Sequence, residues 1–140
     1  MKGITLAQHE PSKIAYTEVS SGILKPGEVR VLIKAAALNH RDEWCRKGLY
    51  PNLTDGTVLG SDGAGIITGI GERVHSSDLS REVIISPDLN WSQNQKVQSY
   101  SFEILGMPRN GTLAESVIVP LDRIHQKPAH LSWEEAGALP

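Results

Sequence analysis

The sequence predicts a mainly β domain, arranged as a barrel or sandwich with few helices. Short apolar stretches rich in β-branched residues recur along the chain, and most are too brief for a helix. Turn-forming residues, above all glycine and proline, separate them at close intervals. The 140 residues have an ordinary globular composition, with 39 % hydrophobic and 21 % charged residues. A chain of this length commonly forms one domain.

The predicted strands follow in chain order. Residues 4–7 and 14–19 are short apolar stretches on either side of a turn that contains a proline. After a Lys-Pro-Gly turn, apolar side chains alternate through residues 29–34, which predicts a half-buried strand. A long apolar and glycine-rich run covers 57–71, and 82–86 is another short strand. Six or more short strands, with those that follow, favour a barrel or sandwich.

The remaining elements are less regular. Asn110-Gly111 predicts a hairpin turn before a strand at 112–119, which Pro120 closes. Residues 42–47 are the mid-chain helical candidate. The segment 86–108, rich in serine, glutamine and asparagine, shows little periodicity. Because loops of this length are uncommon inside compact domains, we expect a functional or partly disordered segment.

A helix start closes the sequence. Ser132 and Glu135 have the spacing of a capping box, in which the two side chains satisfy free backbone N–H groups. Few residues follow, and a helix this short propagates poorly. We therefore expect the helix to continue beyond the given sequence. On this hypothesis residues 1–131 form one domain and 132–140 begin a connection to another.

Composition and charge exclude several function classes. The net charge of −2, with dispersed basic residues, gives no reason to expect nucleic acid or an anionic membrane as a partner. No run reaches the roughly 18 apolar residues of a membrane span, and a secretory signal is absent from the first ten residues. The one cysteine, Cys45, excludes an internal disulfide and fits a reducing compartment, so a cytoplasmic protein is expected.

Two motifs that could carry chemistry have simpler interpretations. The glycines of residues 60–71 would need a strand-to-helix turn to bind a dinucleotide, whereas the β-branched residues after Gly65 favour a strand. We expect these glycines to permit bends and close backbone approach. A structural zinc site needs about four paired Cys or His ligands, and the chain has one cysteine and five scattered histidines. Spacing therefore predicts no metal site.

Four motifs occur in order: Ala-Ala-Ala-Leu-Asn-His-Arg-Asp at 35–42 with Gly-Leu-Tyr-Pro at 48–51, Gly-Ser-Asp-Gly-Ala-Gly at 60–65, Gly-Thr-Leu-Ala-Glu at 111–115, and Leu-Ser-Trp-Glu-Glu-Ala at 131–136. They resemble the N-terminal domain of the medium-chain dehydrogenase/reductase superfamily, which includes zinc alcohol dehydrogenases and quinone oxidoreductases. The Asn-His-Arg-Asp segment and the Pro-Asp-Leu-Asn-Trp at 87–91 are most similar to its zinc-type alcohol dehydrogenase-like group. The resemblance implies a GroES-like, partly open β-barrel over 1–131. Residues 132–140 would begin the crossover helix toward a Rossmann cofactor domain.

The chain departs from the superfamily at the zinc ligands. Asn39 stands where zinc enzymes place a cysteine ligand, and Ser61 where they place a histidine ligand. An amide and a hydroxyl are poor ligands for Zn²⁺. Asp62 occupies the position of a glutamate that supports the metal site. Residues 86–108 fall where the relatives have a four-cysteine lobe and contain no cysteine. We therefore expect no zinc.

The resemblance also implies roles for the polar residues of the first motif. Asn39 and Tyr50 are expected at the substrate and nicotinamide cleft, with the Asn39 amide donating a hydrogen bond. His40 and Arg41 are expected to reach the phosphate or ribose of NAD or NADP. The alternatives stay open: Asn39 as a turn residue, Tyr50 as a packing residue, and the two basic residues as surface groups.

The remaining site residues line the pocket left by the metal. Asp42 is expected to cap or orient the short helix, whereas Ser61 and Asp62 would face the vacated pocket. A purely structural role for Ser61 and Asp62 is equally open.

These roles lead to a hypothesis about function. Without zinc, alcohol oxidation is difficult at neutral pH, whereas reduction of a quinone or an activated C=C bond is easier because conjugation delocalises the developing charge. We expect the substrate-side domain of an NAD(P)H-dependent reductase of small molecules, inactive as these 140 residues alone. A zinc-dependent alcohol dehydrogenase with atypical ligands and a stand-alone GroES-like binding module are the alternatives. A homodimer of the full-length protein is left open.

Overall fold

The computed structural model describes residues 1–94 and 96–140. Strands dominate it, as predicted, and its two α-helices are short. The elements are β1 Lys2–Leu6, β2 Ile14–Glu18, β3 Glu28–Ala37, α1 His40–Arg46, β4 Asp62–Ile70, β5 Glu82–Ile85, β6 Asp88–Leu89, β7 Glu103–Leu105, β8 Pro108–Arg109, β9 Ser116–Pro120, β10 Ile124–Gln126 and α2 Trp133–Gly137. None of the described helices has the length and apolar character that a bilayer crossing demands.

The strands form three sheets that close incompletely. Five antiparallel strands lie in the order β10-β5-β4-β3-β9, and β1 pairs with β2. Isolated bridges connect β1 to the remaining chain, Gly3 to Ala114 and Thr5 to Val58. The predicted partly open barrel is therefore confirmed.

The main core lies on one side of the five-stranded sheet. In β3, Val29 and Val31 are fully buried whereas Leu32 is exposed, which confirms the predicted alternation. Burying each such side chain contributes on the order of 1.5–3 kcal/mol. The core residues are Val29, Val31, Ile67, Val83, Ile85, Leu89, Leu105, Val117 and Val119.

The strand predicted within residues 57–71 begins later than expected. β4 starts at Asp62, because residues 57–59 bond instead to β1, through Leu6 N–H to Thr57 O at 2.9 Å and Leu59 N–H to Ile4 O at 3.0 Å. The glycines of this run permit close approach, as predicted. A Cβ on Gly65 would lie 2.1 Å from the Leu32 carbonyl oxygen.

The hairpin predicted at Asn110-Gly111 is wrong. β9 pairs with β3, and the turn instead contacts Val58, whose N–H donates to Asn110 Oδ1 at 3.0 Å and whose carbonyl accepts from Gly111 N–H at 2.8 Å. Long-range pairing thus overrides a strong local turn preference.

The segment 86–108, here called the excursion, is more ordered at its ends than its composition indicates. β6 pairs antiparallel with β7, and β7 parallel with β8, in a separate small sheet. Among the described residues, the expected long loop is therefore confined to 90–94 and 96–102. The expected partial disorder stays a prediction, and Gln95 lies outside the described residues.

The second helix begins as predicted. Ser132 Oγ accepts from Glu135 N–H at 3.1 Å, and Glu135 Oε2 accepts from Ser132 N–H at 2.8 Å. Its buried face packs Ala136 against Ala64 and Ile84. This contact anchors the last described residues to the five-stranded sheet.

Candidate functional site

The two motifs that carry most of the predicted site residues meet where β3 ends and β4 begins. Ala37, the last residue of β3, pairs with Asp62, the first residue of β4. Helix α1 starts three residues after Ala37, with Asn39 as its N-cap in extended conformation. The antiparallel register therefore places the start of α1 beside residues 60–62. We call residues 39–42 and 60–62 the closed pocket.

Asn39 and Asp62 form a direct pair in the closed pocket. Asn39 Nδ2 donates to Asp62 Oδ2 at 3.0 Å. Burial raises the pKa of the Asp62 carboxyl above its ordinary value, while the hydrogen bond from Asn39 opposes that rise. Thr112 Oγ1 donates to the Asp62 carbonyl at 2.8 Å and fixes the backbone here. The Asn39 amide is exposed apart from this bond, so it keeps a free face.

Asp42 connects the helix to the neighbouring chain. One carboxylate oxygen accepts from Asn39 N–H and the other from Gly60 N–H, both at 2.9 Å. The side chain is 6 % exposed, and its two bonds satisfy backbone groups that would otherwise be buried without a partner. Asp42 therefore holds the start of α1 against residue 60, in line with the expected capping role.

Arg41 reaches across the pocket to the excursion. Its Nη1 donates to Ser61 Oγ at 3.1 Å and to the Leu105 carbonyl at 2.8 Å, and its Nη2 donates to the Met107 carbonyl. Ser61 Oγ itself donates to Leu105 O at 2.9 Å. The guanidinium carbon lies 4.7 Å from the centre of the Tyr50 ring. Arg41 thus joins α1, β4 and the excursion.

Three glycines bring residue 60, the excursion and the turn at residue 111 together at the backbone. A Cβ on Gly111 would lie 1.9 Å from the Gly60 carbonyl oxygen, and one on Gly106 would lie 2.8 Å from it. Gly60 and Gly106 also have positive φ values of +92° and +88°. Since a side chain would overlap backbone atoms, these positions require glycine.

A cleft of about 290 Å³ opens beside Arg41. One wall comes from Tyr50 and the turn after it, and the other from the excursion. Its lining residues are Arg41, Tyr50, Pro51, Asn52, Gln98, Phe102, Glu103, Ile104, Met107 and Pro108.

Tyr50 also packs on a second apolar cluster, which includes Cys45. Its ring therefore lines the cleft and belongs to the hydrophobic core. Burial raises the pKa of the Cys45 thiol, as expected of an inert cysteine.

Sequence reasoning missed the excursion wall of this cleft. Phe102 and Ile104 alternate with Glu103 just before Leu105, and this short alternation could have indicated the strand β7. The carbonyls of Leu105 and Met107 had no signal in the sequence, because any residue type offers the same backbone acceptor.

The structure brings six of the seven predicted site residues into two neighbouring contact sets, Asn39 with Asp42 and Asp62, and Arg41 with Ser61 and Tyr50. The seventh, His40, is exposed, and within residues 1–94 and 96–140 its side chain has no hydrogen bond or ion pair. His40 therefore stands apart from both sets, at the surface of α1.

The closed pocket offers zinc a poor set of donors. No cluster of three or more His, Cys, Asp or Glu side chains in the described part of the chain is arranged to hold a metal. The groups present are an amide bonded to a carboxylate and a hydroxyl bonded to a carbonyl. These hard, already paired groups do not match the imidazole and thiolate that zinc prefers.

The partly open barrel, its short helix and the adjoining cleft define a GroES-like domain of the dehydrogenase type. Residues 25–129 match the alcohol dehydrogenase GroES-like domain, and the chain belongs to this family. The membership confirms the resemblance inferred from the four motifs.

Relatives of known name support the same family. A zinc-type alcohol dehydrogenase-like protein of Schizosaccharomyces pombe is 38 % identical over 84 % of this chain and 34 % of its own length. A crotonyl-CoA reductase of Streptomyces avermitilis is 30 % identical over 97 % of this chain and 36 % of its own. The chain thus spans about a third of the length of the curated relatives it matches.

Solved structures show the same fold. An NAD-dependent alcohol dehydrogenase superposes with a TM-score of 0.90 at 36 % identity, covering 100 % of this chain and 43 % of that one. A quinone oxidoreductase of Pseudomonas syringae superposes with a TM-score of 0.75 at 24 % identity, over 99 % of this chain and 37 % of that one, which shows the fold alone.

Proposed function

We propose that the chain is the substrate-side domain of a zinc-independent, NAD(P)H-dependent oxidoreductase that reduces quinones or activated C=C bonds. The closed pocket carries this proposal, because Asn39 and Ser61 are engaged with Asp62 and the Leu105 carbonyl rather than presented to a metal. The names of the relatives are compatible with it, since they include a crotonyl-CoA reductase and a quinone oxidoreductase.

Absence of a Lewis acid limits the chemistry that such a site performs. Zinc lowers the pKa of an alcohol or polarises an isolated carbonyl. A conjugated acceptor delocalises the charge that follows hydride addition, so fixed hydrogen-bond donors are sufficient. The cleft between Tyr50 and Phe102 suits a small, flat substrate of this kind.

In this proposal, substrate binding and cofactor binding belong to different domains. Residues 1–131 would bind and orient the substrate, and 132–140 would lead into a domain that binds NAD or NADP. The bound nicotinamide supplies the hydride. Asn39 offers the free face of its amide to the cleft between the domains, and exposed His40 at the start of α1 suits contact with a cofactor phosphate.

A chimera tests the proposed reaction. The chain would be joined after Leu131 to the cofactor domain of the Schizosaccharomyces pombe relative. We expect NADPH oxidation with an enone or a quinone, and none with the 140 residues alone. NAD-dependent alcohol oxidation that needs zinc would instead support the alternative of an atypical zinc enzyme. Substrate binding without turnover would support a binding module.

Metal binding is tested on the chain itself. Zinc titration, followed by metal analysis after gel filtration, is expected to find no stoichiometric zinc. The double variant N39C/S61H restores a thiolate and an imidazole at the two ligand positions and serves as the positive control, since it is expected to retain zinc. Stoichiometric zinc on the unaltered chain would contradict the proposal.

A further inference from the structure

Arg41 brings a positive charge to the cleft without forming a direct ion pair. In the described part of the chain its guanidinium has no carboxylate within ion-pair distance, and it donates to one hydroxyl and two backbone carbonyls. Glu103, the acid that lines the cleft, pairs with Arg109 at 3.4 Å. The carboxylate of Asp42 accepts from backbone N–H groups, and that of Asp62 from an amide. A half-buried cation without a directly paired anion is unusual, because desolvation disfavours it, and the Asp62 carboxylate acts on the Arg41 charge without direct contact.

The guanidinium is also held in one orientation. Three of its five N–H donors are engaged, and the Tyr50 ring stacks on it at 4.7 Å. Nε is buried without a partner in the described residues, so the donor left for a ligand is the second N–H of Nη2. A fixed donor costs little reorganisation when charge develops beside it.

The position of the Arg41 guanidinium indicates its function. Arg41 contacts Ser61, which stands where zinc relatives place a ligand histidine, and it lines the cleft together with Tyr50. The cation therefore lies between the closed pocket and the space open to a small molecule.

We propose that Arg41 binds the carbonyl oxygen of the substrate and stabilises the negative charge that forms on it. This inference rests on the proposed function. A reduced nicotinamide, when bound, would supply a hydride to the β-carbon of an enone. The C=C electron pair would form the new double bond between the α-carbon and the carbonyl carbon, and the C=O pair would move to the oxygen beside Arg41 to give an enolate. A proton from water would then add to the α-carbon and give the saturated carbonyl product. The substrate class is accordingly a conjugated carbonyl compound.

The flat walls of the cleft fit that class. Tyr50, Phe102 and Ile104 surround the approach to Arg41. A ring or short planar chain would lie between these side chains with its oxygen toward the guanidinium. The cleft volume of about 290 Å³ is near the lower end of ligand pockets, which favours a small compound.

Arginine side-chain NMR of the 140-residue chain tests this assignment. The ¹⁵N-arginine-labelled protein would be titrated with cyclohex-2-enone and, as the probe without a carbonyl, with cyclohexene. We expect the Arg41 guanidinium signals, identified by their contacts to Tyr50, to shift with the enone and not with cyclohexene. R41K should weaken enone binding at least tenfold, because a lysine ammonium cannot keep the same fork geometry.

R109K is the matched control, since Arg109 directly follows the excursion but does not line the cleft, and it should leave the affinity within twofold. If R41K fails to fold, the enone titration of the unaltered chain still shows whether the Arg41 guanidinium binds the substrate. Enone binding that leaves the Arg41 signals unmoved would overturn the role of Arg41 and leave the proposed function standing. If neither the enone nor duroquinone binds, both are overturned.

Discussion

The closed pocket and the excursion form opposite sides of the same site but are built differently. In the closed pocket, Asp42, Ser61 and Asp62 are each less than a tenth exposed, and their polar atoms bond to one another or to nearby backbone. In the excursion, Val97 is 54 % exposed and Tyr100 fully exposed. One side is a fixed network, and the other is a largely surface segment.

Because they are built differently, the closed pocket and the excursion are suited to different tasks. A network in which the buried carboxylates and hydroxyl are hydrogen-bonded keeps its geometry, so the closed pocket can orient reacting groups. A segment with few buried contacts tolerates change, so the excursion can set the shape of the cleft. Arg41 and the three glycines at 60, 106 and 111 are where the two sides meet. Perturbing these contacts should reveal how far each side depends on the other.

The largest effect is expected for Gly111→Ala, which disturbs both sides. The new Cβ would lie 1.9 Å from the Gly60 carbonyl oxygen and 2.6 Å from that of Leu59, so the backbone must shift. We expect a loss of at least about 4 kcal/mol in the free energy of unfolding, measured by urea denaturation.

Gly56→Ala is the matched control for that experiment. Gly56 has a positive φ of +84°, but a Cβ there meets no atom within 4 Å. Only backbone strain destabilises this variant, and we expect the free energy of unfolding to fall by about 1 kcal/mol. Equal losses for the two variants would show that the glycine contact does not join the two sides.

A smaller and more local effect is expected for Arg41→Met. The change removes the donors to the Leu105 and Met107 carbonyls while the closed pocket keeps the bonds of Asp42 and Asp62. We expect the free energy of unfolding to fall by about 2 kcal/mol. Cleavage by trypsin after exposed Lys96 should accelerate, as followed by mass spectrometry.

Arg109→Met provides the comparison for proteolysis. Arg109 makes one exposed ion pair with Glu103 at 3.4 Å, and pairs of this kind contribute less than about 1 kcal/mol. Cleavage after Lys96 should therefore stay near the rate of the unaltered chain. If both variants are cleaved equally fast, Arg41 does not hold the excursion in place.

The same contrast explains what could be predicted from the sequence. The fold and most of the closed pocket follow from motifs in which side-chain type carries the information, such as Asn39 and Asp42 around a helix start. The excursion is organised by backbone carbonyls and by pairing of β7 with β6 and β8, which the residue types do not reveal. The failed hairpin at Asn110-Gly111 has the same cause, because the partner of β9 is a distant strand.

The smallest effect is expected for Asp62→Asn, and it depends on pH. Burial raises the pKa of Asp62, so the folded state binds the proton more tightly than the unfolded state, whose pKa is about 3.9. The resulting stabilisation is present at low pH and is lost as pH rises through the raised folded pKa. Asparagine carries no charge and still offers an oxygen to the Asn39 amide. The variant should therefore gain stability relative to the unaltered chain as the pH rises above about 4.

Urea denaturation at several pH values measures this gain, with Asp122→Asn as the reference. Asp122 is 73 % exposed, so its replacement removes a carboxylate without altering a buried one. The gain in unfolding free energy of Asp62→Asn over the unaltered chain should increase as the pH rises. For Asp122→Asn, no such increase is expected. If the difference in unfolding free energy between Asp62→Asn and the unaltered chain does not change with pH, the Asp62 carboxylate is ionised in the closed pocket without loss of stability. The fixed network would then owe its stability to the Asn39 bond and not to the proton on Asp62.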